Sequence, residues 1–312
     1  MNTDNIFVFT EVVNCGLIGR IAFRTFHQFH NRKLHIYGRT EDFLQVEYHP
    51  NNVYHSLDGN DEILQAFQAG HKGTSKVWTK AILDAKEKYI VHIDSDVIFR
   101  GDAVEEVIQK LGEFDLVGSM RNYPNNPHKH RNDVRHLPDV TATYCFGFNK
   151  ELIPVREPHL LERLVENSLD NQVIGELRSR YSWYKYEPTL DYFDPIAFIM
   201  IQHGGKVCIL DKDIMGGFDN EGGKQNKYGA LNKDCDFGDK IVHFASVGSG
   251  LNFLSKIQKK ESIQVPSWYV EYALGKLDLY LRLFYNTKIL PDDQSKFLYV
   301  EPAMREQFKG II

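Results

Sequence analysis

Residues 89–99 read YIVHIDSDVIF and carry the clearest structural signal in the sequence. Its first five residues form an almost wholly apolar run, which is typical of a strand buried in a parallel sheet. The run ends abruptly at Asp94 and Asp96, before a second apolar run over 97–99. Because open α/β sheets bind their ligands beyond the carboxyl ends of the strands, we expect a functional site at these two aspartates.

Short apolar runs alternate with helical patterns on both sides of this stretch. Strands are predicted at 6–10, 34–37, 52–56, 89–93, 115–119, 143–148, 207–210 and 240–244. Apolar residues recur at helical spacing over 18–29, 77–85 and 104–111. The repeated strand–helix–strand order predicts an α/β fold with a mostly parallel central sheet flanked by helices, as in Rossmann-like proteins.

Capping signals indicate where three helices begin. Thr74 or Ser75 is the predicted cap of the helix before residue 89. Asp102 and Glu105 have the spacing of a capping box at the start of the next helix. Asp194, followed by a proline, predicts the start of an apolar helix over 196–202.

The composition excludes several classes of protein. The chain has 312 residues, 42% of them hydrophobic and 25% charged, with a formal net charge of −5. These values exclude a disordered chain, a collagen-like repeat and a coiled-coil rod. The acidic excess argues against a general nucleic-acid-binding protein. The longest apolar stretch, 196–201, is far shorter than the roughly 20 residues of a membrane-spanning helix.

The N-terminus and the cysteines predict a cytoplasmic location. The first residues lead almost directly into a strand and lack the basic and apolar regions of a signal peptide. The four cysteines are widely separated, which argues against a disulfide framework and against a zinc site. Cys145 and Cys208 lie in apolar runs and are expected to be buried free thiols.

Asp94 and Asp96 are candidate metal ligands. In an extended chain both side chains would point the same way, and two like charges in a poorly solvated crevice are costly. A divalent cation relieves that cost, and carboxylate oxygens suit Mg²⁺ or Mn²⁺. A bare Asp-x-Asp also occurs in loops where both acids are solvated turn residues, and that alternative stays open on the motif alone.

The stretch 89–99 and the helix before it resemble the nucleotide-sugar glycosyltransferases of the GT-A fold. In that superfamily an Asp-x-Asp motif between apolar runs holds a divalent metal against the donor diphosphate. The resemblance implies Mn²⁺ (or Mg²⁺) as cofactor, with Asp96 the more direct ligand and Asp94 shared with the ribose. It implies transfer from a nucleotide-sugar donor, a UDP-sugar by preference, to a hydroxyl of a glycan or other acceptor.

The same resemblance implies a domain layout. A GT-A-like catalytic domain is expected over residues 1–250. Its nucleotide-sugar half is expected over 1–120 and its acceptor half over 121–250. A C-terminal helical extension is expected over 251–312, where apolar residues recur at helical spacing.

Further ligands are assigned from the resemblance. A late strand over 240–244 presents His243, and many members complete the metal shell with a C-terminal histidine. Lys256 follows and is a candidate partner of the diphosphate. Inverting members place an acidic general base near the start of a helix, which suggests Asp194, with Asp191 as the alternative. Asp194 is also a good helix cap and could have that duty alone.

Donor contacts are expected at the ends of the first strands. The candidates are Phe9, Thr10, Glu11, Lys76, Asp94, Ser95 and Gly147. A glycine inside a strand often marks the close approach of a ligand, which is the reason for including Gly147. Lys76 could equally be a solvated lysine on a helix face.

Two other classes of function stay open. A sugar-phosphate nucleotidyltransferase also uses metal-bound carboxylates on an α/β sheet, but it would be expected to begin with a glycine-rich turn that residues 11–14 do not form. A catalytically silent glycan-binding protein is the non-enzymatic alternative. No dinucleotide-binding fingerprint, phosphate loop or serine nucleophile motif occurs in the sequence.

Overall fold

The computed structural model describes part of the chain. The described residues are 5–12, 16–44, 46–63, 71–99, 101–118, 145–153, 196, 200, 203–210, 236–237 and 240–243. The predicted C-terminal extension over 251–312 lies outside them, as does most of the predicted acceptor half. The predicted domain boundaries therefore stay predictions.

Seven of the described strands form the main sheet. They are β1 (Ile6–Val12), β2 (Leu34–Gly38), β3 (Asn52–Ser56), β4 (Tyr89–Ile93), β6 (Leu116–Gly118), β7 (Cys145–Asn149) and β8 (Val207–Ile209). Their order across the sheet is β3-β2-β1-β4-β7-β6-β8. Strand β7 runs antiparallel to both of its neighbours, whereas all the other pairings are parallel. The predicted α/β fold with a mostly parallel sheet is confirmed.

Four described helices accompany the sheet: α1 (Gly16–Phe29), α2 (Thr40–Phe43), α3 (His71–Asp84) and α4 (Ala103–Lys110). Strand residues alternate between two apolar clusters, one on each face. Val8 and Val91 belong to a cluster with α1 and α4. Phe9 and Ile90 belong to the other cluster, which includes α3 together with Ile196 and Met200. Each face of the sheet is thus covered, as a parallel sheet requires.

A second, small sheet begins directly after the aspartate motif. It contains β5 (Val97–Phe99), β9 (Asp236–Phe237) and β10 (Ile241–His243), in the antiparallel order β5-β10-β9. Helix α1 packs on β5. The hydroxyl of Thr25 accepts a hydrogen bond from the backbone N–H of Phe99 at 3.0 Å. These contacts fix the position of the chain that leaves the aspartate turn.

The start of α4 corrects one prediction. Asp102 precedes the helix, but its side chain makes no capping hydrogen bond and instead accepts one from Lys240 Nζ at 2.6 Å. Glu105 pairs with Arg32 through two hydrogen bonds of 2.6 and 2.7 Å. The predicted capping box is therefore wrong, because both carboxylates are engaged by cations from distant parts of the chain.

His30 provides part of the missing cap. Its Nε2 accepts a hydrogen bond from the backbone N–H of Val104 at 3.2 Å. Its Nδ1 lies 2.9 Å from the carbonyl oxygen of Phe26, which can only accept, so Nδ1 carries the proton. This buried, neutral imidazole satisfies one of the amide groups that a helix leaves unpaired at its start.

Helix α3 begins earlier than the sequence predicted. It starts at His71, so Thr74 and Ser75 lie inside the helix and do not cap it. Ser75 is buried, and its carbonyl oxygen accepts a hydrogen bond from the Thr79 hydroxyl at 2.9 Å. Among the described residues, no helix is both long enough and apolar enough to cross a bilayer.

Candidate functional site

The aspartate motif forms a turn at the centre of the main sheet. It follows β4, which lies between β1 and β7, so the turn is at the carboxyl end of a central strand. The backbone N–H of Val97 donates to the carbonyl oxygen of Asp94 at 3.3 Å, which closes the turn. Asp94, Ser95 and Asp96 are all half-buried. The chain here is a turn and not the extended segment considered from the sequence.

His243 lies beside this turn in the backbone register. Strand β10 pairs with β5 so that His243 is opposite Val97, the residue directly after Asp96. Three aligned pairs define this register, from Ile241 with Phe99 to His243 with Val97. The fold thus brings together a histidine and an aspartate motif that are about 150 residues apart in the sequence.

A second histidine, His92, lies between Asp94 and Glu11 of the first strand. Its Nε2 lies 2.8 Å from Oε2 of Glu11 and 3.8 Å from Oδ1 of Asp94. The Glu11 side chain is 13% exposed, that of Asp94 is 20% exposed, and that of His92 is fully buried. Two carboxylates therefore face a single buried imidazole at the ligand-binding end of the sheet.

Aromatic rings enclose His92. The ring centroids of Trp78, Phe9 and Phe146 lie 4.4, 4.9 and 5.2 Å from that of the imidazole. The indole Nε1 of Trp78 also donates to Oε2 of Glu11 at 3.2 Å. The same carboxylate oxygen thus receives two hydrogen bonds from side chains that are themselves held in the core.

Cys145 shows the electrostatic effect of this region. It pairs in register with Ile93, directly before Asp94. Burial, with a smaller contribution from the negative charge of Asp94, raises the pKa of the Cys145 thiol far above its ordinary value. Cys145 is a free, buried thiol, as predicted. Cys208 is also a free thiol, but it is half-buried and not buried as predicted.

Of the predicted donor contacts on β1, only Glu11 keeps an exposed fraction. The side chains of Phe9 and Thr10 are buried. Lys76 forms an ion pair with Glu62. The assignment of Phe9, Thr10 and Lys76 as donor contacts stays a prediction.

Packing accounts for Gly147. A Cβ added there would lie 2.7 Å from Cγ1 of Val107 and 2.8 Å from Cδ1 of Leu111. Helix α4 therefore occupies the space that a side chain at 147 would need. The expected approach of a ligand at Gly147 stays a prediction, and protein atoms alone are sufficient reason for the glycine.

Three predicted site residues lie outside the described residues. They are the two candidate bases, Asp191 and Asp194, and the candidate phosphate partner, Lys256. Two residues of the site were missed from the sequence. They are Trp78 and His92, neither of which is among the predicted site residues. The signal for His92 was a single polar residue within the apolar run over 89–93.

The donor atoms here fit a divalent cation. The ligand atoms of Glu11, His92 and Asp94 all lie within 4.8 Å of one another. Carboxylate oxygens are the ligands preferred by Mg²⁺ and Mn²⁺, whereas Nε2 of His92 lies at hydrogen-bond distance, 2.8 Å, from Oε2 of Glu11. The half-buried Asp96 adds a further carboxylate in the same turn. The chemistry of this donor set is compatible with the cofactor expected from the motif.

Comparisons with known proteins complete this description. No protein-family model matches the chain, and no curated protein matches it in sequence. Several solved structures show a distant likeness. Mouse xyloside xylosyltransferase 1, in its apo form, has a TM-score of 0.40 at 13% identity, covering 66% of this chain and 85% of that one.

Two further structures show a likeness of similar size. Residues 1–349 of S. aureus TarS give a TM-score of 0.38 at 9% identity, covering 94% of this chain and 78% of that one. The bifunctional glycosyltransferase WbbM gives 0.39 at 14% identity, covering 66% of this chain and 38% of that one. Likeness at this level does not assign a donor, an acceptor or a mechanism.

Proposed function

We propose that this protein is a metal-dependent glycosyltransferase. It transfers a sugar from a nucleotide-diphosphate donor, a UDP-sugar by preference, to a hydroxyl of a glycan or other acceptor. The proposal rests on the Asp-x-Asp motif, its position at the carboxyl end of a central strand, and the resemblance of residues 89–99 to the GT-A superfamily.

The observation that carries the proposal is the register between β5 and β10. The resemblance alone assigns His243 as a third metal ligand, independently of the pairing between β5 and β10. The pairing of His243 with Val97 brings that residue next to Asp96. A chance Asp-x-Asp turn would not be expected to have a candidate histidine ligand from a distant strand beside it.

Asp94, Asp96 and His243 are the residues that would hold Mn²⁺ or Mg²⁺. When bound, the cation supplies Lewis-acid neutralisation of the charge that develops on the leaving nucleoside diphosphate. Asp96 is the more direct ligand in this proposal, and Asp94 is shared between the metal and the ribose. Ser95 lies between the two aspartates in the chain, and Glu11 lies at the same end of the sheet, at the end of the strand β1 that pairs with β4. Both are proposed contacts of the donor.

The acceptor hydroxyl requires a base. In the proposed inverting reaction, a carboxylate takes the hydroxyl proton as the oxygen attacks the anomeric carbon. Asp194 and Asp191 are the two candidates, and Lys256 is a proposed partner of the diphosphate. Asp194→Asn and Asp191→Asn distinguish the two candidates. Only the substitution of the true base should reduce turnover while leaving the affinity for the donor unchanged.

The test is release of nucleoside diphosphate from a panel of nucleotide sugars with Mn²⁺ and simple acceptors. We expect metal-dependent release that is lost in Asp96→Ala, while the circular dichroism spectrum and unfolding transition of the variant stay those of a folded protein. Asp58→Ala is a matched control, because Asp58 is an exposed aspartate after β3, outside the motif.

Other outcomes would support other functions. Release of pyrophosphate from a nucleoside triphosphate and a sugar phosphate would indicate a nucleotidyltransferase. Binding of glycans without release of any nucleotide product would indicate a catalytically silent glycan-binding protein. Either result would contradict the proposed glycosyl transfer.

A further inference from the structure

We infer that His92 is a positioning residue of the donor site, which orients the carboxylate of Glu11 to accept a hydrogen bond from a ring N–H of the donor's nucleobase. This inference rests on the proposed function, because it assumes that a nucleoside diphosphate binds beside the aspartate turn. It adds a role for His92 and a reason for nucleobase selectivity.

The hydrogen-bonding pattern assigns the proton on His92. Its Nε2 lies 2.8 Å from Oε2 of Glu11, and an ionised carboxylate can only accept. Nε2 is therefore the protonated nitrogen. The imidazole is fully buried between Phe9, Trp78 and Phe146, so it cannot turn away without displacing these rings.

Both fixed donors bind the same oxygen of Glu11. Trp78 Nε1 donates to Oε2 at 3.2 Å, as His92 does at 2.8 Å. Within the part of the chain that the structure describes, Oε1 of Glu11 has no hydrogen-bond partner. The Glu11 side chain keeps 13% of its surface exposed at the end of β1. One oxygen is thus held by the protein, and the other remains for a ligand.

An acceptor that is fixed in this way selects among nucleobases. Uracil and guanine each present a ring N–H, whereas the equivalent ring nitrogen of cytosine is an acceptor that would face the carboxylate. Because an unpaired or repelled polar group in a partly desolvated site is costly, the carboxylate should disfavour CDP. His92 contributes by keeping the Glu11 carboxylate in one orientation. Its Nε2 also lies 3.8 Å from Oδ1 of Asp94, so the imidazole N–H is placed between the two acids.

The experiment measures the affinity of the protein for UDP, GDP and CDP by calorimetry in the presence of Mn²⁺. The selectivity ratio is the affinity of the better of UDP and GDP divided by that of CDP. His92→Phe keeps a ring between the aromatic neighbours but removes the donor. His92→Gln keeps an N–H at similar reach. His55→Phe is the matched control, because His55 is a half-buried histidine of the same sheet on β3.

We expect His92→Phe to lower the affinity for the preferred nucleotide about 10- to 100-fold, because a Glu11 carboxylate that is no longer held in place would lose its charge-assisted hydrogen bond to the nucleobase. Its affinity for CDP should change little, so the selectivity ratio should fall toward one. His92→Gln should retain most of the ratio, and His55→Phe should retain all of it. The double variant with Glu11→Gln should be no worse than Glu11→Gln alone, because His92 acts through Glu11.

The inference is overturned if folded His92→Phe keeps the selectivity ratio of the unchanged protein. It is also overturned if His92→Phe lowers the affinity for UDP, GDP and CDP equally and its effect adds to that of Glu11→Gln. Those results would make His92 a structural residue of the core. If His92→Phe does not fold, an unchanged ratio in Glu11→Gln overturns the inference by itself. Absence of metal-dependent nucleotide binding by the unchanged protein would instead contradict the proposed function, and the inference would fall with it.

Discussion

Gly147→Ala should destabilise the protein by about 1–3 kcal/mol, the usual cost of overpacking a well-filled core. The added Cβ would lie 2.7 Å from Cγ1 of Val107, 2.8 Å from Cδ1 of Leu111 and 3.3 Å from Cγ2 of Val91. All three neighbours are buried, so none can move into solvent. Forcing two of these side chains about 30° from their preferred rotamers accounts for a cost of roughly 1–3 kcal/mol.

Urea unfolding of four proteins tests this estimate. They are the unchanged chain, Gly147→Ala, Val107→Ala and the double variant. Because Val107→Ala removes the atom in the shortest contact, the double variant should be more stable than the sum of the two single effects predicts. Gly59→Ala is the comparison variant. A Cβ at Gly59 meets nothing within 4 Å, and its φ of +77° alone makes the substitution costly, so it should show no coupling to Val107→Ala.

The reasoning is refuted if Gly147→Ala is as stable as the unchanged chain, or if Val107→Ala recovers none of the loss. A further readout separates packing from ligand contact at this position. If packing alone explains the glycine, folded Gly147→Ala should bind UDP with the affinity of the unchanged protein. A large loss of UDP affinity without a loss of stability would support the ligand contact expected from the sequence.

Three further predictions concern stability and reactivity. Burial lowers the pKa of His30 from 6.5 to about 4, so between these pH values the unfolded chain gains this proton and the folded chain does not. His30 alone should lower the free energy of unfolding by about 2–3 kcal/mol as the pH drops from 6.5 to 4, so the total fall should be smaller by that amount in His30→Gln. Equal slopes in both proteins would contradict this. Arg32→Ala should lower the free energy of unfolding by about 1 kcal/mol, and by less at high salt, because the ion pair of Arg32 with Glu105 is bidentate and only partly exposed. Urea or chevron data that show no loss of stability would contradict this prediction. Cys145 should resist alkylation in the folded protein and react on unfolding, because burial raises the pKa of its thiol. Alkylation of Cys145 in the native protein, detected by mass spectrometry, would contradict this prediction.

Much of the sheet could be predicted because its strands are defined by local patterns. The run over 89–93 and its abrupt end gave a strand and a turn without reference to any other part of the chain. The strand at 240–244 was predicted equally well, and the observed β10 lies within it. A buried parallel strand needs a continuous apolar run, and that requirement is visible in the sequence itself.

The wrong capping box has a physical cause, which is that long-range partners decide what polar side chains do. Asp102 had the right spacing for a cap, but Lys240 engages its carboxylate, and His30 bonds the helix amide instead. No local pattern reports a partner that is 138 residues away. The helix start at residue 71 was missed for a simpler reason, because Ser75 has the chemistry of a cap even inside a helix.

The candidate site was predicted in part. Asp94, Asp96 and Glu11 were identified from strand ends, and these residues do lie at one end of the sheet. His92 was missed, because a histidine in a buried strand shows its role only through its neighbours on β1 and α3. The pairing that brings His243 to the turn depends on the small sheet, which no periodicity in the sequence predicts.

A crystal of the protein soaked with MnCl₂ and UDP, measured at the manganese absorption edge, would test the proposed metal site directly. We predict an anomalous peak within coordination distance of carboxylate oxygens of Asp94 or Asp96 and of a ring nitrogen of His243, with the UDP diphosphate against it. Clear density for the three side chains without a manganese peak between them, at saturating metal and nucleotide, would contradict the proposed function.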